Sequence, residues 1–173
     1  VEDATATSVL SDSGFIGFND IDLIDVHTAS VSKTTGSLGG SLTLGNVSGE
    51  AANTTTGNVA WTYTVPNVAT QYLAAGQTAT ETFTVTVSDG HGGTVDQTVT
   101  VTVTGTNDAP VITSSDVTRQ IQQGSANLAD ATLFNITATD VDLTDTLTYE
   151  LIDDRGYFTI DSASGLVGLT HHG

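Results

Sequence analysis

The chain has 173 residues, no Cys and no Met, and sets 3 Lys+Arg against 20 Asp+Glu for a formal charge of −17. That balance excludes partners drawn to basic surfaces, nucleic acid and anionic membrane above all, and makes soluble cations the natural counterions. Without Cys there is no disulfide framework, thiolate metal site or Cys nucleophile.

No run approaches the roughly 20 apolar residues of a membrane span, and no charged segment followed by an apolar one opens the chain. The lack of an initiating Met marks a piece of something longer, or a processed protein. Abundant Thr, Gly, Val and Asp with a charged fraction of only 13% incline the reading to a secreted bacterial surface protein over a cytosolic enzyme. The length allows two small domains, each with its own core.

In chain order, Phe18 to Val31 reads FNDIDLIDVHTASV, an acidic turn between extended stretches. Leu42 and Leu44 alternate in GSLTLG, and Trp61, Tyr63 and Val65 alternate in AWTYTVP, as half-buried strands do. No stretch shows a 3.6-residue apolar period, so helix is expected only in short turns around residues 68–75. Glu81 to Val87 (ETFTVTV) puts Phe83, Val85 and Val87 on one face, and Val99, Val101 and Val103 repeat the pattern. Between them Asp89-Gly90 and Gly92-Gly93 supply a hairpin turn. Gln97 falls on the apolar face of the second strand and predicts a bulge or a sheet edge near Asp96-Gln97. The strand then stops at TGTNDAPV, which reads as a joint between domains. Short β-branched strands between Gly/Asn/Asp turns predict an all-β chain of antiparallel Greek-key sandwiches.

An internal repeat divides the chain. Ala138 to Leu151 (ATDVDLTDTLTYEL) matches Phe18 to Val31 at an offset of 120, aligning Asp20, Asp22 and Asp25 with Asp140, Asp142 and Asp145. GYFTI (156–160) resembles GSLTL (40–44), and SGLVGLTH (164–171) resembles TGNVAWTY (56–63). The expected organisation is a sandwich over 1–105, a linker over 106–110 and a partial sandwich over 111–173. The second copy lacks any counterpart of the Glu81 to Val103 hairpin, so part of its core and a sheet edge should be exposed.

In an extended segment Asp20 and Asp22 lie on one side of the chain, roughly 7 Å apart, with Asp25 following in a turn. Carboxylates so close repel unless a cation sits among them. Hard oxygen donors at this density suit Ca²⁺, which takes 6 to 8 oxygens, better than Zn²⁺. A solvated acidic turn is the plain alternative, weakened by the recurrence of DxDLxD at Asp140, Asp142 and Asp145. The repeated motif is expected at the end of its domain, near Asn107 and Asp108, with a calcium site there.

The segment from Gly14 through Pro110, above all QYLAAGQTATETFTVTVSDGHGGTVDQTVTVTVTGTNDAP, resembles the VCBS repeats of large bacterial adhesins. The stretch ATDVDLTDTLTYEL followed by FTIDSASGLV is similar to the first half of a bacterial cadherin-like domain. The resemblance implies Ig-like or cadherin-like sandwiches in tandem, with calcium at the junctions. Carried over, it implies ligands at Glu2, Asn107, Asp108, Asp140 and Asp142 for the internal joint. It also implies a half-site of Asp20, Asp22 and Asp89 at the other end of the first domain. The D-R-E-type acidic motif of cadherin junctions has no counterpart near Gln71-Tyr72, which lowers the expected number of ions. Gln122-Gln123 stand where Glu2-Asp3 stand in the first copy, which weakens any further junction. RTX-type GGxGxD repeats are absent.

Nothing reads as catalytic: there is no GxSxG-like elbow, and the His residues are scattered at His27, His91 and His171-His172. His91 reads as an exposed turn residue and His171-His172 as a terminal pair. Trp61 reads as core before it reads as a sugar platform. Asp153-Asp154 and Asp161 read as solvated loops. The expected function is a calcium-stiffened spacer of a secreted adhesin that serves adhesion or biofilm formation, in contact with neighbouring domains of its own polypeptide. Strand exchange between subunits into a filament, and polysaccharide binding, are the alternatives.

Overall fold

In the computed structural model the chain divides into two compact units, Val1–Asn107 and Asp108–Gly173. The structure describes residues 8–22, 24–50, 55–115, 132–152 and 155–170. The expectations placed on Glu2-Asp3, Gln122-Gln123, Asp153-Asp154 and His171-His172 lie outside the described residues.

Unit 1 is built from β1 (Val9–Asn19), β2 (Thr28–Thr35), β3 (Ser41–Ser48), β4 (Thr56–Pro66), β5 (Thr78–Ser88) and β6 (Thr94–Thr104). They form two antiparallel sheets in the orders β1-β4-β3 and β2-β5-β6. The chain crosses between the sheets after β1, β2 and β4, the crossovers a Greek-key sandwich requires. One 3-10 turn, Asn67–Ala69, falls at the start of the stretch expected to hold the short helical turns. Among the described residues no helix is long and apolar enough to cross a membrane.

Period-2 alternation makes the core. Leu42, Tyr63 and Val65 face inward from one sheet, and Phe83, Val85, Val99, Val101 and Val103 from the other, as one buried cluster. The Tyr63 and Phe83 rings meet edge-on with centroids 5.9 Å apart. Val59, Val65 and Val85 are fully buried, each contributing on the order of 1.5–3 kcal/mol relative to exposure.

The same alternation carries Glu81 inward, where its side chain is fully buried. Its carboxylate is ion-paired with Lys33 and accepts a hydrogen bond from the Tyr63 hydroxyl at 2.9 Å. Burial alone would raise the Glu81 pKa, but the Lys33 and Tyr63 hydrogen bonds and the Lys33 charge outweigh it and hold the carboxyl below its ordinary value. Burial, seconded by the Glu81 hydrogen bond, pushes Tyr63 up. A Cβ on Gly40 would run into both the Tyr63 hydroxyl and the Glu81 carboxylate, so only glycine lets the chain pass this cluster.

Between β5 and β6 the register runs unbroken through Asp96 and Gln97, so no bulge relieves Gln97. β6 is an edge strand and Gln97 is exposed there. Bulges fall at Lys33/Thr35 and Leu44/Val47. The strand end that reads as a joint is fixed by Gly105, whose N–H donates to the Gln77 carbonyl at 2.8 Å and whose carbonyl accepts from the Gly76 N–H at 3.1 Å. A Cβ at Gly105 would enter the Leu73 carbonyl, so the position requires glycine.

Unit 2 contains β7 (Val111–Ile112), β8 (Thr132–Asn135), β9 (Ala138–Thr139), β10 (Phe158–Ile160) and β11 (Leu166–Leu169). β8, β11 and β10 pair as one antiparallel sheet, and β7 pairs with β9. The order β8-β11-β10 repeats β1-β4-β3, as the GSLTL/GYFTI and TGNVAWTY/SGLVGLTH resemblances require. Among the described residues nothing corresponds to β5 and β6. Leu143 is 78% exposed and Ile152 91%, so unit 2 is a partial sandwich.

Candidate functional site

The repeated DxDLxD motif folds the same way twice. In unit 1 the Asp22 N–H donates to Asp20 Oδ1 at 2.8 Å and the Asp25 N–H to the Asp22 carbonyl at 3.2 Å. In unit 2 the Asp142 N–H donates to Asp140 Oδ1 at 3.0 Å and the Asp145 N–H to the Asp142 carbonyl at 3.1 Å. Each is an Asx turn closed by its own first aspartate, a conformation that local sequence suffices to specify.

In unit 1 the turn approaches the β5–β6 hairpin. The Asp89 carboxylate accepts the N–H groups of His91 at 2.7 Å and Gly93 at 2.9 Å, with Gly90 and Gly92 in the left-handed region. Carboxylate oxygens of Asp20, Asp25 and Asp89 lie within 4.8 Å of one another. Asp25 is thus the third carboxylate beside Asp20 and Asp89, while Asp22 is exposed. Hydrogen bonds from the Asp22 N–H and from His27 hold Asp20 below the ordinary carboxylate range. Those from the His91 and Gly93 N–H groups do the same for Asp89. Ionised groups so placed form a concentrated negative site.

His27 and Glu50 are the residues that sequence reasoning missed. The His27 ring sits 4.7 Å from the Phe18 ring, with Nε2 3.0 Å from Asp20 Oδ2 and Nδ1 on Glu50. Burial would lower its pKa, but the Asp20 and Glu50 carboxylates raise it above the ordinary histidine value. The available signal was weak: an apolar residue and an aspartate flank a lone His in FNDIDLIDVH. His91, expected as an exposed turn residue, is 73% exposed in its side chain and 3.4 Å from Asp25 Oδ2. A cavity of about 160 Å³ adjoins this end of the unit, lined by Phe18, Asp20, His27 and Asp89 among others.

In unit 2 the Asp108 N–H donates to Asp142 Oδ2 at 2.9 Å. Asp142 is 2% exposed and Asp108 8%. Asp142 Oδ1 is buried and has no hydrogen-bond partner, an arrangement that costs roughly 1–3 kcal/mol if left uncompensated. Asp145 and Asn107 are exposed. Asp161 accepts from the Ala163 and Ser164 N–H groups and the Ser164 hydroxyl, which closes the turn before β11 and holds its carboxyl below the ordinary value, the Ser164 hydroxyl contributing most. Trp61 is half-buried against the core with its ring 2.6 Å from a Cβ position on Gly14, the packing of a core edge residue.

A two-sheet antiparallel sandwich with its crossovers defines an immunoglobulin-like module. The chain belongs to the bacterial Ig domain family, whose model, described as Bacterial Ig domain, matches residues 2–102. No curated protein matches the chain.

Proposed function

We propose that this chain is a calcium-binding spacer segment of a secreted bacterial surface protein, of the kind that VCBS and cadherin-like repeats build, with a mechanical role and no catalysis. The observation that carries the reading is the buried Asp142 Oδ1 with no hydrogen-bond partner, beside the Asp108–Asp142 contact and the Asp140 turn. A hard cation is the compensation that a buried carboxylate oxygen without a hydrogen-bond partner calls for. Asp108, Asp140 and Asp142 would hold it in unit 2, and Asp20, Asp25 and Asp89 would hold another in unit 1. Bound calcium cancels the repulsion among these carboxylates and stiffens the chain, which suits a rod that carries an adhesive tip away from the cell.

Extracellular calcium modules bind with dissociation constants on the order of 10⁻⁴ to 10⁻³ M. At 100 times the dissociation constant the ion stabilises the folded state by about 2.7 kcal/mol. Differential scanning calorimetry in calcium and in chelator, with Asp142→Asn and Asp25→Asn, tests the reading. The parent should melt higher with calcium, and each variant should lose one unit's share of the rise. Equal melting in calcium and chelator would sink the proposal, and scattering that shows the same flexibility in both would remove its mechanical part.

A further inference from the structure

β3 is an outer strand of its sheet, with β4 on one side and, among the described residues, no laddered strand on the other. Its sequence, SLTLGNVS, holds neither a charge nor a proline. Uncharged edges of this kind are templates for pairing with another chain, and sheets shield them with charge, proline, bulges or a cover. β10, the counterpart of β3 in unit 2, is three residues long and runs into Asp161.

The ladder with β4 sets Leu44 opposite Trp61 and Val47 opposite Val59, so Gly45 and Asn46 stand together against Ala60. Such a two-against-one bulge leaves a residue out of the ladder and re-aims its side chain. Val47 is half-buried, and its neighbours Asn46 and Ser48 are exposed. Period-2 alternation therefore turns the Asn46 amide and the Ser48 hydroxyl to the same outward side. The Asn46 side chain has no hydrogen-bond partner among the described residues. Ser48 Oγ donates one long bond, 3.4 Å, to the Asn58 carbonyl. Asn46-Val47-Ser48 is an Asn-X-Ser triplet, the acceptor pattern for N-linked sugar.

A chain rich in Thr and Ser makes such triplets by chance, and the fold is what tells them apart. Asn53-Thr54-Thr55 begins outside the described residues. Asn135-Ile136-Thr137 is built into ladders. Asn135 pairs with Leu166 of β11, and the Ile136 N–H donates to the Gly165 carbonyl at 2.9 Å. The Thr137 carbonyl accepts the Thr113 N–H at 2.8 Å, and the two threonine hydroxyls meet at 2.9 Å. Asn46 is the acceptor that the fold presents.

We propose that Asn46 is a site of N-linked glycosylation and that its sugar shields the bare edge of β3. The donor is a sugar carried on a diphosphate, whose carrier is a nucleotide or a lipid. Asn46 Nδ2 bonds to the anomeric carbon as the bond from that carbon to the diphosphate oxygen breaks. The diphosphate leaves with the electron pair, and the amide proton passes to a base of the transferring enzyme.

The test gives the folded full chain to a soluble N-glycosyltransferase with UDP-glucose, and in a second arm to a membrane oligosaccharyltransferase with a lipid-diphosphate oligosaccharide. The arm that reacts identifies the carrier, and a peptide copy of residues 43–50 is the positive control. Peptide mapping by mass should find one sugar on Asn46, gained at least about tenfold faster than on Asn135, which reacts only when its ladders open. Asn46→Gln and Ser48→Ala should each abolish transfer at this site. Light scattering should show less self-association of the glycosylated chain than of the bare one. No transfer to Asn46 in either arm, or an equal rate at Asn135, overturns the acceptor assignment. Equal self-association with and without the sugar overturns the shielding role.

Discussion

The two units share an acidic turn and a three-stranded sheet and differ in whether a second sheet closes over it. In unit 1, β2, β5 and β6 bury the inner faces of β3 and β4, down to fully buried Val59 and Val65 of β4. In unit 2 no second sheet of that kind stands among the described residues, and Phe158 is 38% exposed where its counterpart Leu42 is 5%. Yet the Asx turns of Asp20 and Asp140 are alike to within a few tenths of an ångström. Local hydrogen-bond chemistry fixes the turn, whereas core closure depends on a hairpin that lies far along the chain.

The difference should appear most strongly in the core. Phe83→Ala should destabilise unit 1 by about 3–5 kcal/mol, the range for a buried aromatic. Phe158→Ala should cost under about 1 kcal/mol, within the scatter of surface changes. Denaturant unfolding followed by Trp61 for unit 1 and by far-ultraviolet dichroism for both units separates the two effects. Comparable losses would mean that unit 2 closes its core too.

Next in size is the buried ion pair. Lys33→Met strands the Glu81 carboxylate and should cost roughly 3 kcal/mol, while Lys33→Met with Glu81→Leu should recover most of it. Because Glu81 has a depressed pKa in the folded state, its contribution is present above the unfolded value of 4.5 and is lost as the pH falls through the folded one. The parent should therefore lose stability faster than the double variant in acid. A neutral Lys33→Met would show that Glu81 is buried uncharged.

The smallest effect belongs to His27 and runs the other way in pH. Its folded pKa is raised, so its stabilisation is complete below the unfolded value of 6.5 and fades as the pH rises through the folded value. In chelator the melting temperature of unit 1 should drift down above pH 6.5, and His27→Gln should flatten that drift. An unchanged slope would detach His27 from the Asp20–Glu50 bracket.

Much of this was legible because strands announce themselves locally. Alternation located β4, β5 and β6, the Gly-rich turn located the hairpin, and the DxDLxD repeat located both acidic turns. What stayed hidden was tertiary. Glu81 shares the parity of Phe83 and Val85, yet only the fold shows it buried and brings Lys33 from 48 residues away to neutralise it. Asp25 in place of Asp22 beside Asp89, and the clasp of Glu50 on His27, arise from loops converging at one end of unit 1. Gln97 showed the limit of one-strand reasoning: a polar residue on an apolar face marked an edge, and the ladder carried it without a bulge.

The Lys33–Glu81 pair also decides how unit 1 meets a protease. Lys33 is the sole lysine of the chain, so within residues 8–115 it offers the single peptide bond that a trypsin-like enzyme would recognise. That bond lies inside β2, where Lys33 is laddered to Phe83 of β5 and its side chain is pinned by a buried carboxylate. Arg155 instead occupies an exposed turn with a positive φ of 54°. Exposure to such an enzyme should trim unit 2 while unit 1 survives.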